Sequence, residues 1–210
     1  RTTTRLAHSQ GLVELNERKE IEDKPYEKNI RKNVMMPGNA IKRHVVVEDR
    51  MEKLKSMAEE IELNTVEDNN SRIGVISAGI AYMYAKEALG DKVNYLKLGA
   101  IYPMPEKKIK EFAAKCDKVY VIEELDPFIE EHCKTIGVDV IGKEVFTLLG
   151  EYTPSMIKKA VLGEDAPEST QIEETIPVRP PVMCPGCPHR GTFYVLKKLG
   201  VTVSGDIGCY

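Results

Sequence analysis

Ile73-Gly74-Val75-Ile76-Ser77-Ala78-Gly79 is followed by Ala81, Tyr82, Ala85 and Leu89 at helical spacing, then by Val93-Asn94-Tyr95-Leu96-Lys97-Leu98, and this stretch decides the fold. The first run is short and apolar without alternation, as expected of a strand covered on both faces. The spacing of three and four marks an amphipathic helix, with Gly90 placed to end it. The second apolar run is another strand. A strand, a helix and a strand in succession make a parallel pair joined by a crossover.

Reading toward the C-terminus, the alternation continues. Tyr102-Pro103-Met104-Pro105 opens a helix through Ile109, Phe112 and Ala113, and Lys118-Val119-Tyr120-Val121-Ile122 is a third strand ending at Glu123-Glu124. Asp126-Pro127 reads as an N-cap followed by Pro at the first helical position. Val138 to Gly142 reads as a fourth strand, and Thr153-Pro154 starts a last helix to about Leu162. Residues 72–163 are therefore expected to form an α/β domain, a parallel sheet with helices on both faces.

Toward the N-terminus, Val47, Met51, Leu54, Met57 or Ala58, and Ile61 predict a helix over about 45–63, closing near Asn64, with a loop from Glu67 to Ser71. Residues 16–71 otherwise read as a linker. Residues 164–179 are acidic and Pro-bearing, a second linker, and a further unit begins at residue 180. The chain starts without Met, and its last residues read as a strand entering a glycine turn. Both ends are expected to be cuts in a longer protein.

Composition excludes several classes. The net charge is -3 and Trp is absent, so neither a basic field nor a base-stacking surface points to nucleic acid. No apolar run approaches the roughly 20 residues of a membrane span. Five cysteines with one tight pair do not resemble a secreted disulfide framework, and a reducing cytoplasm is the expected setting.

The chemistry lies in Cys184-Pro185-Gly186-Cys187-Pro188-His189-Arg190-Gly191, a following helix (Phe193, Val195, Leu196, Leu199), a strand over Val201 to Val203, and Gly205-Asp206-Ile207-Gly208-Cys209-Tyr210. Two cysteines two residues apart can chelate one metal or form a redox dithiol. A helix running out and a strand returning can bring Cys209 back beside them. Zinc wants four ligands, and only Cys209 and His189 are at hand. A c-type haem site fails because Pro188 precedes His189. A thioredoxin-like pair would follow a strand, and the segment before Cys184 is Pro-rich. Three thiolates of an iron–sulfur site, with a fourth elsewhere, also fit.

This cysteine motif and its continuation resemble the opening of the diphosphate-binding domain of the 2-oxoacid:ferredoxin oxidoreductases, with Pro188-His189-Arg190 closest to the indolepyruvate branch. The resemblance extends over the chain. Residues 1–15 look like the end of a pyrimidine-binding domain. Residues 72–163, with Val121-Ile122-Glu123-Glu124-Leu125, look like a transketolase C-terminal-type domain, and residues 180–210 like the truncated start of the thiamine-diphosphate-binding domain. The resemblance implies oxidative decarboxylation of an aryl 2-oxoacid on thiamine diphosphate and Mg2+, with [4Fe-4S] clusters, coenzyme A as acyl acceptor, ferredoxin as electron acceptor and a smaller beta subunit as partner.

It further implies Cys184, Cys187 and Cys209 as cluster ligands. Gly186, Cys187, His189, Asp206, Gly208 and Cys209 would lie near the cofactor, and Arg5 and His8 beside the substrate. The activating carboxylate would precede Arg1, and the magnesium ligands would follow Tyr210, so the chain alone is expected to be inactive. Set against this is a non-catalytic α/β interaction domain with a structural metal site or a dithiol. Plainer readings also stand beside individual residues: Asp206 as a turn residue, Glu123 and Glu124 as a domain or subunit contact, and Cys116 and Cys133 as packing residues.

Overall fold

The computed structural model describes residue 6, residues 9–165, 175 and 177, and residues 183–205. The chain divides into two compact units, residues 1–167 and 168–210.

In the first unit a short helix α1 (Ile30–Asn33) leads to the long α2 (Pro37–Glu60), then β1 (Thr65–Glu67), β2 (Ile73–Ala78), α3 (Gly79–Leu89), β3 (Asn94–Leu98), α4 (Glu106–Ala113), β4 (Lys118–Ile122), α5 (Phe128–Thr135) and α6 (Pro154–Leu162). The sheet order is β1-β3-β2-β4, with β2 parallel to both neighbours and β1 antiparallel to β3. The fold is thus mixed α/β.

Strand side chains alternate between two cores, as a period of two requires. Val75, Tyr95, Tyr120 and Ile122 face α3 and α6, where Ala81, Ala85, Leu89 and Ile157 meet them. Ile76, Leu96, Leu98, Val119 and Val121 face α4 and α5, through Ile109, Phe112, Ile129 and Cys133. Both faces are covered, which is why β2 is apolar at consecutive positions. Gly74 has a steric reason: a Cβ there would lie 2.7 Å from Cys116 Sγ and 2.9 Å from Phe112 Cε1, so the absent side chain lets α4 sit down on β2.

The structure differs from the sequence expectation at several junctions. Helix α2 starts at Pro37, well before the apolar periodicity, because Pro pre-sets the first-turn backbone. It stops at Glu60, where buried Asn64 folds back and donates from Nδ2 to the Ala58 carbonyl at 3.0 Å. The same side chain accepts from Gly99 N and Ala100 N, each at 2.9 Å, pinning α2 to the end of β3. Glu59 adds a second tie by accepting from Lys107 N and Lys108 N, each at 2.9 Å, at the start of α4.

Strand β1 was expected to be part of the chain between a helix and a loop. It is a strand because β3 pairs with it and because Glu67 bonds Tyr82 and, at 2.6 Å, Lys86. The loop after it is clamped by buried Asn94, whose Oδ1 accepts from Asn69 N at 2.7 Å and whose Nδ2 donates to Ser71 O at 2.8 Å.

The expected fourth parallel strand, Val138 to Gly142, shrinks to a single bridge between Ile141 and Tyr120. Beyond it the chain turns away, since Gly142 packs against the Glu130 carboxylate and Lys143 N donates to Glu130 Oε2 at 2.8 Å. At α5 the expected Asp126 cap is replaced by Glu123, which accepts from Ile129 N and Glu130 N at 2.9 to 3.0 Å. At α6, Thr153 does cap, with Oγ1 accepting from Met156 N at 3.3 Å, and Gly163 ends the helix in the left-handed region.

The second unit contains helix α7 (His189–Leu199), closed by Gly200 at φ 64°. The expected strand Val201 to Val203 is not formed: those residues are irregular and exposed, and a strand needs a hydrogen-bonded neighbour.

Candidate functional site

In the second unit, Cys184-Pro185-Gly186-Cys187 forms a tight reverse turn. Cys187 N donates to the Cys184 carbonyl at 3.1 Å, and Gly186 has φ 77°. Pro at the second turn position and Gly with positive φ at the third are the requirements of a type II turn, so the sequence dictates the shape. Four-residue turns keep their ends within about 7 Å, which brings the two cysteine backbones together. Cys184 is exposed and Cys187 half-buried.

Helix α7 begins directly beyond the turn. Arg190 N donates to the Cys187 carbonyl at 3.2 Å, so the turn runs without a break into the helix. Pro188 occupies the N-cap and contributes no side-chain hydrogen bond. Two side chains of the first helical turn reach back instead. His189 Nδ1 lies 3.5 Å from Cys187 Sγ, and an Arg190 guanidinium N–H donates to the Met183 carbonyl at 2.6 Å. His189 also packs against Phe193, with ring centroids 6.4 Å apart. Cys184 and Cys187 thus share one turn, and the imidazole stands beside Cys187. Thiolate sulfur and imidazole nitrogen are donors suited to zinc or iron–sulfur centres.

Of the expected site residues, Cys184, Gly186, Cys187 and His189 stand together here. Arg5, His8, Asp206, Gly208 and Cys209 lie outside the described residues. Among the described residues no three of His, Cys, Asp and Glu form a metal-binding group. Arg190 did not figure among the expected site residues, although its place directly after His189 was in plain view; its reach back to Met183 depends on the turn geometry.

The first unit has its own cleft, of about 470 Å³, at the C-terminal ends of β2, β3 and β4. It opens where the chain crosses from β3 on one side of β2 to β4 on the other, the usual ligand position of such sheets. Gly79, Leu98, Ile101, Glu123, Glu124 and Phe128 are among its walls. Glu123 and Glu124 both bond within the unit. Glu123 caps α5, and Glu124 accepts from Tyr152 N at 2.7 Å. Lys143 Nζ donates to the Glu123 carbonyl and to Tyr152 Oη, the latter at 2.8 Å.

Burial governs the charges of this cluster. It raises the Glu123 carboxyl above its ordinary range, although the Glu130 and Ile129 amides pull the other way. It lowers the Lys143 ammonium and pushes the Tyr152 hydroxyl up to about 12. Cys133, in the core below, is likewise held as a thiol by burial, at about 12. The cluster therefore fastens the segment after Gly142 to the sheet.

No family model matches the chain. It is similar along all its residues to "Indolepyruvate oxidoreductase subunit IorA" of Archaeoglobus fulgidus, at 32% identity, covering 38% of that protein. The subunits of the same name from Methanothermobacter thermautotrophicus and Pyrococcus horikoshii are 36% and 32% identical over the whole chain, which covers 38% and 37% of them. The chain thus spans under two fifths of the length of these relatives. Among solved structures, a 2-oxoglutarate:ferredoxin oxidoreductase from Magnetococcus marinus, with 2-oxoglutarate, coenzyme A and succinyl-CoA bound, matches 61% of the chain at 22% identity and a TM-score of 0.47.

Proposed function

We propose that this chain, similar along its whole length to the IorA subunits of indolepyruvate oxidoreductases, is a segment of a 2-oxoacid:ferredoxin oxidoreductase subunit that decarboxylates indolepyruvate or another arylpyruvate oxidatively. The products are the aryl-acetyl-CoA, CO2 and reduced ferredoxin. Residues 72–163 are the scaffold, residues 1–15 close a pyrimidine-binding domain, and residues 180–210 open the diphosphate-binding one. A smaller beta subunit completes the assembly, in a reducing cytoplasm.

The observation that carries this reading is the cysteine turn set directly before a helix, within a sequence similar to these subunits from end to end. Cys184 and Cys187, with Cys209, would hold a [4Fe-4S] cluster; the two visible thiols sit on one turn, with Cys184 open to solvent, which fits thiolate ligation. When bound with Mg2+, thiamine diphosphate supplies the electron sink for decarboxylation. This chain's own contribution is positional. Gly186 lets backbone approach closely, His189 sets the surroundings of Cys187, and Asp206 and Gly208 would lie near the diphosphate.

The test is anaerobic purification of the complete subunit with its smaller partner. Bound iron and thiamine, together with arylpyruvate- and coenzyme A-dependent reduction of ferredoxin, support the reading, and Cys184→Ser and Cys187→Ser should each lower the iron content. Zinc without thiamine, and no turnover, would overturn it.

A further inference from the structure

The Cys184–Cys187 turn is exposed, and a turn of four residues in water does not by itself hold two thiols at a constant spacing. Its far side is secured by the helix: Arg190 N donates to the Cys187 carbonyl at 3.2 Å. Its near side, at Met183, meets the Arg190 guanidinium at 2.6 Å. One residue therefore grips both ends, through its backbone on the Cys187 side and through its side chain on the Cys184 side.

The reach has a plain cause. Side chains on a helix lean toward its N-terminus, and Arg190 is the second residue of α7. Its guanidinium is thus carried back over the start of the helix, to where Met183 enters the turn. Pro188 offers no side-chain cap, and the tie across the helix start is this arginine's donation to the Met183 carbonyl.

We propose that Arg190 is the positioning residue of the cysteine turn, tying Met183 to the start of α7 so that Cys184 and Cys187 stay on one turn, available to a shared metal centre. The proposal rests on the reading of these two cysteines as ligands, and deepens it by naming what orients them. Hydrogen-bond partners of metal ligands typically set affinity by about 10- to 100-fold, and Arg190 acts one step further out, through the Met183 carbonyl that precedes Cys184.

The test uses the subunit that contains this chain, reduced, titrated with Cd2+ and followed by the thiolate-to-metal ultraviolet band. Arg190→Ala should weaken Cd2+ binding by about 10-fold, the low end of that range. Arg190→Lys, which keeps a cation on a shorter and non-planar group, should fall between. Lys197→Ala, which removes one positive charge from the same helix without touching the turn, should bind as the parent does. An Arg190→Ala chain that binds within twofold of the parent overturns the proposal, and so does an equal loss in Lys197→Ala.

A second readout is free of metal. Hydrogen exchange at the Cys187 amide, which donates to Cys184, should quicken in Arg190→Ala and recover in part in Arg190→Lys. If the parent takes no Cd2+ beyond what Cys184→Ser/Cys187→Ser takes, the ligand reading falls. The exchange rates then decide the brace alone: faster exchange in Arg190→Ala upholds it, and unchanged exchange sinks it.

Discussion

The sheet unit and the cysteine unit are ordered by different means. In the first, consecutive residues such as Val75 and Ile76 are both fully buried, because helices cover both faces. In the second, α7 buries no side chain, and Phe193, Tyr194, Val195 and Leu199 are exposed. The cysteine turn is shaped by a Pro-Gly pair and a few hydrogen bonds. Burial supplies most folding free energy, whereas a single solvent-facing hydrogen bond adds about 1 kcal/mol. The scaffold thus rests on buried packing, while among the described residues of the thiol-bearing unit little is buried. A metal bound there would add stability where packing adds least.

Four experiments sharpen or break this contrast, from the largest expected effect to the smallest. Ile76→Ala empties space between β2 and its covering helices and should cost about 2–5 kcal/mol in denaturant unfolding. A loss below about 1 kcal/mol would mean that this core collapses easily. Gly74→Ala drives a Cβ toward Cys116 and Phe112 and should cost about 1–3 kcal/mol, read from the same curves. If Cys116→Ala in the same chain restores part of the loss, the cause is steric. Thr153→Ala removes the cap of α6, for about 1 kcal/mol. Leu199→Ala, in the exposed helix, should change stability by less than about 0.5 kcal/mol; a larger loss would show a packed partner for α7.

A pH series makes the same point through charge. The Glu123 carboxyl has a folded-state pKa above its ordinary value of 4.5, because burial disfavours its charge. The folded protein therefore takes up this proton before the unfolded chain does. The charge is a cost that is fully present above the folded pKa, and it is relieved as pH falls from there toward the unfolded value. Relative to Glu123→Gln, the parent should gain thermal stability as pH is lowered through that window. A parent that instead loses stability relative to the glutamine variant contradicts burial as the dominant cause.

How far all this could be read beforehand depended on where each instruction sits. The strands β2, β3 and β4 and the helix α3 carry their own instructions in consecutive apolar runs and in the spacing of Ala81, Tyr82, Ala85 and Leu89. Strand β1 is three residues long and exists through partners on β3 and α3, so nothing local announces it. The segment Val138 to Gly142 has strand composition, yet Glu130, a buried charge eleven positions upstream of Ile141, bends it away after one bridge. The turn at Cys184 was legible because Pro and Gly define its geometry. The Arg190 contact was not, since it spans seven residues and follows from the direction in which the helix leaves the turn. Arg5, His8, Asp206, Gly208 and Cys209 rest on family resemblance alone.

The brevity of β1 has a bearing on how the molecule keeps to itself. Sheet margins with unpaired backbone groups are templates for fibril growth, and long flat ones are the hazard. Here one margin is the three-residue β1, paired in reverse to β3, and the other is β4, whose outer edge is covered at its middle by Ile141, which exchanges backbone hydrogen bonds with Val119 and Val121. The first offers little length, and the second is interrupted, for a matching strand from a neighbouring molecule. A sheet so rich in valine and isoleucine thus has one margin kept short and the other partly covered, the two devices that limit edge templating.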